Sequence, residues 1–165
     1  MTSQSDSGHM RLIVVADTSA ILSLSLSGLL VKCEKEFRIV VGTKICAELE
    51  GISKGDDDLG NAARSALHSV EMRKTMHSYL RGEDEALDIL AELDADLLIS
   101  DDIKFVMKNK GNRKIAFSVI LLGVLLEQNK ITKADFIKAV DSVFAKRNWD
   151  ENLIYLTAKY ILQEY

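Results

Sequence analysis

Short, unbroken apolar runs alternate along this chain with longer stretches in which apolar residues return every three or four positions. Residues 11–16 are brief, continuous and rich in β-branched side chains, which predicts a buried strand. Asp17-Thr18-Ser19 then turns into a helix, with Asp17 or Thr18 as its N-cap and residues 20–30 as its apolar body. Residues 37–41 predict a second strand closed by Gly42, and Thr43 caps a helix that runs through Glu48 to residue 50. A loop over 51–60, with an acidic run, leads to a helix over 61–68, and 70–76 reads as a short strand in preference to more helix. The spacing of Ala86, Leu87, Leu90, Ala91 and Leu93 predicts a helix from Gly82 onward. Residues 96–100 predict a third clear strand and 114–117 a further short one. Helices follow over 119–129, 133–147 and 151–163, the middle one capped by Thr132.

Strands that alternate with helices connect by right-handed crossovers, which makes the sheet parallel and puts helices on both faces. The expected architecture is α/β: a three-layer α/β/α sandwich around a central, mostly parallel sheet, with extra C-terminal helices. Residues 10–165 are expected to form a single domain with 118–165 as a helical C-terminal part, and a chain of 165 residues can bury its core without disulfides or structural metal. Residues 1–9 have neither the basic nor the apolar region of a signal peptide and are expected to be a disordered tag remnant. No apolar run approaches the roughly 18 to 20 residues that span a bilayer. Residues 115–126, interrupted by Ser118, read as a buried helix. Cys33 and Cys46 adjoin apolar segments without metal-ligand spacing, which predicts buried thiols and a reducing, cytoplasmic setting.

The candidate chemistry lies in acids placed at element ends. Asp17 follows the first strand, Asp101 and Asp102 follow the third, and Glu48 and Glu85 stand beside apolar neighbours on two predicted helices. Each alone has a plain reading: Asp17 and the Asp101-Asp102 pair as helix caps, the glutamates as surface residues. Together they say more. In an open parallel sheet, ligands bind outside the carboxyl ends of the strands. Carboxylates gathered there repel one another, and a hard divalent cation held by oxygen ligands relieves that repulsion. Such a cation suits phosphodiester hydrolysis. A Ser-His-Asp apparatus is disfavoured, because His68 and His77 are the only histidines beyond the first nine residues and both lie in polar, helix-like surroundings. Haloacid-dehalogenase phosphatases need Asp-x-Asp, but Ser19 holds the second acidic position. Receiver domains need an acidic pair at the first strand end and a lone Asp later, the reverse of this chain.

The net charge of −4 argues against nucleic-acid binding only as a whole-chain average. Lys104, Lys108, Lys110, Arg113 and Lys114 crowd the segment just after the acidic pair. They are either a solvated face or a basic rim beside an acidic pocket, which a phosphate backbone would require.

Four blocks occur in the order and spacing of one family. They are Val15-Ala16-Asp17-Thr18-Ser19-Ala20, Ile45-Cys46-Ala47-Glu48-Leu49, Gly82-Glu83-Asp84-Glu85-Ala86-Leu87 and Leu98-Ile99-Ser100-Asp101-Asp102. Over residues 14–130 the chain resembles the PIN-domain nucleases, which include VapC-type toxins and archaeal RNA-processing enzymes. The resemblance implies a PIN-like sandwich and a Mg²⁺- or Mn²⁺-dependent endoribonuclease, either the toxin of a toxin–antitoxin pair or an RNA-processing enzyme. Carried over, the catalytic metal ligands are Asp17, Glu48, Glu85 and Asp102, with Asp101 as a fifth acidic member and Thr18 or Ser19 as the supporting hydroxyl. Glu85 is preferred to Glu83 because Ala86-Leu87 follow it as small and apolar residues follow the family's third acid; which of the two points inward stays open. RNA is the implied partner, with an antitoxin protein and a homodimer left open and no membrane. Residues 120–165 resemble a PIN subgroup with a glycine-containing helix at Leu121-Leu122-Gly123-Val124-Leu125-Leu126 and further helices that carry Trp149. The alternative is a catalytically inactive PIN-like module that binds RNA or a protein; loss of a carboxylate would favour it, and all four are present.

Overall fold

A computed structural model describes residues 10–75 and 77–165, so the expectation for residues 1–9 lies outside the described residues. Five strands form one sheet: β1 (Leu12–Ala16), β2 (Phe37–Gly42), β3 (Glu71–Arg73), β4 (Leu97–Ile99) and β5 (Ile115–Ala116). Their order is β3-β2-β1-β4-β5 and every neighbouring pair is parallel. β1 is central, with Val15 registered against Val40 on one side and Leu98 on the other. Val14, Val15 and Ala16 are fully buried. Their unbroken apolar run has its cause here, since a parallel strand covered on both faces has no solvent side to make polar.

Nine helices are described: α1 (Thr18–Leu26), α2 (Leu30–Glu36), α3 (Thr43–Ile52), α4 (Asp58–Ser69), α5 (Gly82–Glu92), α6 (Ile103–Lys108), α7 (Val119–Glu127), α8 (Lys133–Arg147) and α9 (Leu153–Glu164). From β1 the chain steps outward to β2 and β3, then returns to place β4 and β5 on the other side of β1. Right-handed crossovers in opposite directions put their helices on opposite faces. α1 to α4 therefore cover one face, and α5, packed on β1, β2 and β4, covers the other with α6. The C-terminal helices thicken the first layer, with α8 against α1 and α4, α7 against α2, and α9 against α7 and α8.

Boundaries moved where caps and glycine intervened. The predicted helix over 20–30 is two helices, because Gly28 takes φ +76 and breaks the run between α1 and α2. The Asp57 side chain accepts from the Gly60 amide, 2.8 Å away, and draws the end of the acidic loop into α4. Thr43 does not cap α3; Gly42 stands at that position without a side-chain bond. Thr132 caps α8 with a full capping box to Asp135, as its position predicts. The strand predicted over 70–76 is shorter, and its last residue lies outside the described ones. Among the described residues no helix is long and apolar enough to cross a membrane.

Candidate functional site

All five strands end on the same side, and the order reverses between β1 and β4. The gap between their carboxyl ends is where an open α/β sheet leaves a crevice. Asp17 leaves β1 directly into it and N-caps α1: its Oδ1 accepts from the Ala20 amide at 2.9 Å and from the Ser19 hydroxyl at 2.8 Å. Ser19 in turn accepts from the Asp101 amide at 2.8 Å, so one hydroxyl joins the turns after β1 and β4. Asp102 enters from β4 as the N-cap of α6, its Oδ1 3.1 Å from the Phe105 amide. Glu48, half-buried on α3, accepts from the Thr18 hydroxyl. Both expected hydroxyls are thus in use, each on a different acid.

Asp17, Thr18, Ser19, Ile45, Glu48, Leu80, Arg81, Gly82, Glu83 and Asp102 line a cleft of about 310 Å³. Four carboxylates from four elements share its wall. Gly82 is tight against this wall, for a Cβ there would lie 3.0 Å from Ile45 and 3.4 Å from Glu48 Oε1. Burial, opposed by hydrogen bonds from Ser100, Ala20 and Ser19 and helped by the nearby Asp101 charge, pushes the Asp17 carboxyl up to about 6. Arg81 brings a cation to the rim, 3.9 Å from Glu83 and paired with Asp84 at 3.0 Å.

Two expected ligands are elsewhere. Glu85 is 1% exposed and does not line the cleft. One of its oxygens accepts from the amides of Lys44 at 2.8 Å and Ile45 at 3.3 Å, the other from the Thr75 hydroxyl at 2.7 Å. It closes the N-terminus of α3 from below, in the place that the missing side-chain cap leaves open. Gly42 makes room for it: a Cβ there would meet the Glu85 carboxylate carbon at 2.2 Å. The physical reason is helical phase. Gly82, Glu85, Ala86, Ile89 and Leu90 form the buried stripe of α5, and Glu83 falls off that stripe onto the cleft. Glu83 is therefore the acid that the block Gly82–Leu87 supplies to the wall. Asp101 is likewise buried, its oxygens accepting from the Ser118 amide at 2.9 Å and hydroxyl at 2.7 Å. Burial raises its pKa, while Ser23, Ser118 and the charge of Arg147 oppose the rise.

The basic run is also not one surface. Lys104 and Lys108 stand on α6, which starts at the cleft, and the charge of Lys108 helps Arg81 hold Asp84 below its ordinary range. The chain then returns to the opposite end of the sheet to begin β5, carrying Lys110, Arg113 and Lys114 away. Lys114 pairs there with Asp94 at 2.8 Å.

The wall chemistry, oxygen donors only, suits a hard cation such as Mg²⁺ or Mn²⁺. Among the described residues, however, no three His, Cys, Asp or Glu side chains are placed to hold one ion together. The fit is that of an ion that keeps several waters and takes one or two carboxylates directly, not of a closed cage.

No family model and no curated protein matches the chain. Among solved structures it is similar to a PilT N-terminus domain protein from the hyperthermophilic archaeon Sulfolobus solfataricus. The identity is 24%, the TM-score 0.51, and the match covers 70% of this chain and 95% of that one. The likeness shows the fold: the five-stranded parallel sheet with its helices is PIN-like.

Proposed function

We propose that the chain is a metal-dependent endoribonuclease that hydrolyses RNA phosphodiester bonds in the cleft between β1 and β4. The observation that carries this is the convergence of Asp17, Glu48, Glu83 and Asp102, from four separate elements, on a crevice at the reversal of strand order. Like charges on one small wall disfavour each other's ionisation, and a bound cation would relieve that. One or two of these carboxylates would hold Mg²⁺ or Mn²⁺ directly and the others through water, and the bound ion would polarise a phosphoryl oxygen and make a water nucleophilic near neutral pH. The chain's own part is orientation. Thr18 fixes the Glu48 carboxylate, Ser19 fixes Asp17, and the cap to Phe105 fixes Asp102. Arg81 at the rim and Lys104 and Lys108 on α6 supply the positive charge that a polyphosphate strand needs beside an acidic wall. A toxin of a toxin–antitoxin pair and an RNA-processing enzyme are both biological settings for such a site.

The spacing of the four carboxylates favours one competitor, a PIN-like module that binds RNA without cutting it. One experiment separates the two: cleavage of a structured RNA by wild type and by Asp102→Asn, with Mn²⁺ and with EDTA. Cleavage that EDTA stops, and that the variant loses while remaining folded, supports the nuclease. RNA binding without cleavage by the wild type would establish the binding module instead.

A further inference from the structure

The last turn of α8 reaches the cleft from behind. Arg147, the final residue of that helix, donates through one Nη to the Ser19 carbonyl at 2.8 Å and to the Ser23 hydroxyl at 3.0 Å. Its guanidinium lies 4.2 Å from the centroid of the Trp149 ring. That ring packs edge-on against Phe144, which packs in turn against Tyr155 of α9. A planar cation held against an aromatic face has little freedom left, so its two hydrogen bonds are aimed. Their target is the first turn of α1. Ser19 is the residue whose hydroxyl donates to Asp17 and accepts from the Asp101 amide. Asp101 is closed off beneath the cleft, and the charge of Arg147 is near enough to oppose the effect of its burial.

We infer that Arg147 is a positioning residue, through which the C-terminal helices hold Ser19 and so set the geometry of Asp17 and of the turn after β4. The inference rests on the metal-nuclease reading only for its consequence, not for the positioning itself. Removal of the guanidinium leaves the Ser19 carbonyl with the Ser23 hydroxyl at 3.2 Å, takes from that hydroxyl the donor that holds it, and removes the cation nearest Asp101. The first turn of α1 then loses its tether to α8, although its Asp17 cap remains and the sheet, packed by other residues, is untouched. A supporting partner behind a metal ligand commonly changes affinity by about 10- to 100-fold.

The test uses the full chain as wild type, Arg147→Met, Arg147→Lys and, as a control at the same α8–α1 contact, Ser142→Ala, which loses a bond to the Leu26 carbonyl. Amide hydrogen exchange is read in EDTA, and Mn²⁺ affinity by calorimetry. In Arg147→Met the amides of Ala20 and Asp101 should exchange faster by about tenfold while those of β1 and β2 do not change. Mn²⁺ affinity should fall at least about tenfold, with partial recovery in Arg147→Lys and no change in Ser142→Ala. Exchange that rises uniformly over the chain, equally in Arg147→Met and Ser142→Ala, would reduce Arg147 to a docking contact and overturn the inference, as would unchanged exchange at Ala20 and Asp101. If those two amides respond while wild type itself takes no Mn²⁺, positioning stands and the nuclease reading falls.

Discussion

Glu83 and Glu85 are two residues apart on one helix, and Asp101 and Asp102 are neighbours in one turn. In each pair one carboxylate faces an open cleft, and the other is closed into a layer beneath it with both of its oxygens accepting from protein donors. The two regions use one functional group for opposite ends. In the cleft, carboxylates keep lone pairs open to solvent, and the burial of Asp17 there disfavours its charge. In the layer below, lone pairs are spent on backbone amides and hydroxyls, which secures the helix ends that the cleft is built from.

The sharpest way to break that contrast is to exchange the fates of Glu83 and Glu85. Glu83→Gln should leave the fold intact and lower metal-dependent RNA cleavage by more than about a hundredfold. Glu85→Ala strands two amides at the start of α3 and the Thr75 hydroxyl, and should cost about 3–5 kcal/mol of stability. Denaturant unfolding and cleavage at a temperature where both variants are folded read the two effects. A Glu85→Gln variant that folds, keeps an acceptor for α3 and yet loses cleavage as fully as Glu83→Gln would return Glu85 to the ligand set.

Asp17 belongs to both regions, a wall carboxylate that is nearly buried, and pH tells which character governs it. Its carboxyl rises from 3.8 to about 6 in the folded chain, chiefly because burial disfavours the charge. The native state therefore holds this proton more tightly than the unfolded chain. Stability from this group is fully present below pH 4, falls as pH rises toward 6, and stays lowered above it. In EDTA, Asp17→Asn, which keeps an oxygen for the Ala20 amide, should be more stable than wild type at pH 7 by up to about 3 kcal/mol. The gap should close by pH 4. Equal stability of the two at pH 7 would show that Asp17 sits in the layer as comfortably as Glu85 does.

Most of the fold was legible because its strands obey simple rules. β1 is apolar throughout, β2 apolar but for Arg38, and each runs into a polar or glycine residue that begins a helix. The N-cap at Thr132 placed the start of α8 to the residue. What escaped was phase and route. In the sequence Glu85 is preferred because Ala86-Leu87 follow it, whereas the buried face of α5 runs through Glu85, Ala86 and Ile89 and leaves Glu83 to the cleft. An acid followed by two apolar residues has the same local pattern whether it caps a buried helix or lines a cleft. Arg147 carried no signal, because its partners Ser19 and Ser23 lie more than 120 residues earlier. The basic run is divided for a related reason: a strip continuous in sequence spans two ends of the sheet once α6 carries it from one to the other.

That last division gives the smallest effect and a clean test of the rim. Lys104 and Lys108 are exposed on α6, near the acids of the cleft, while Lys110 and Arg113 are exposed beyond its far end. Each phosphate contact releases counterions and contributes about 0.7 to the salt slope of single-strand binding. Lys104→Gln with Lys108→Gln should therefore flatten the slope by about 1.4 and weaken binding at low salt. Lys110→Gln with Arg113→Gln should leave the slope near wild type, since a strand that passes the cleft does not reach the opposite end of the sheet. Neither pair should move stability by more than about 0.5 kcal/mol, as exposed charges seldom do. Binding of a single-stranded RNA across a salt series, in EDTA so that nothing is cut, measures both slopes. Equal flattening by the two pairs would mean that RNA follows the outer face of α6 along its whole length, and the cleft would then be only one end of a longer binding track.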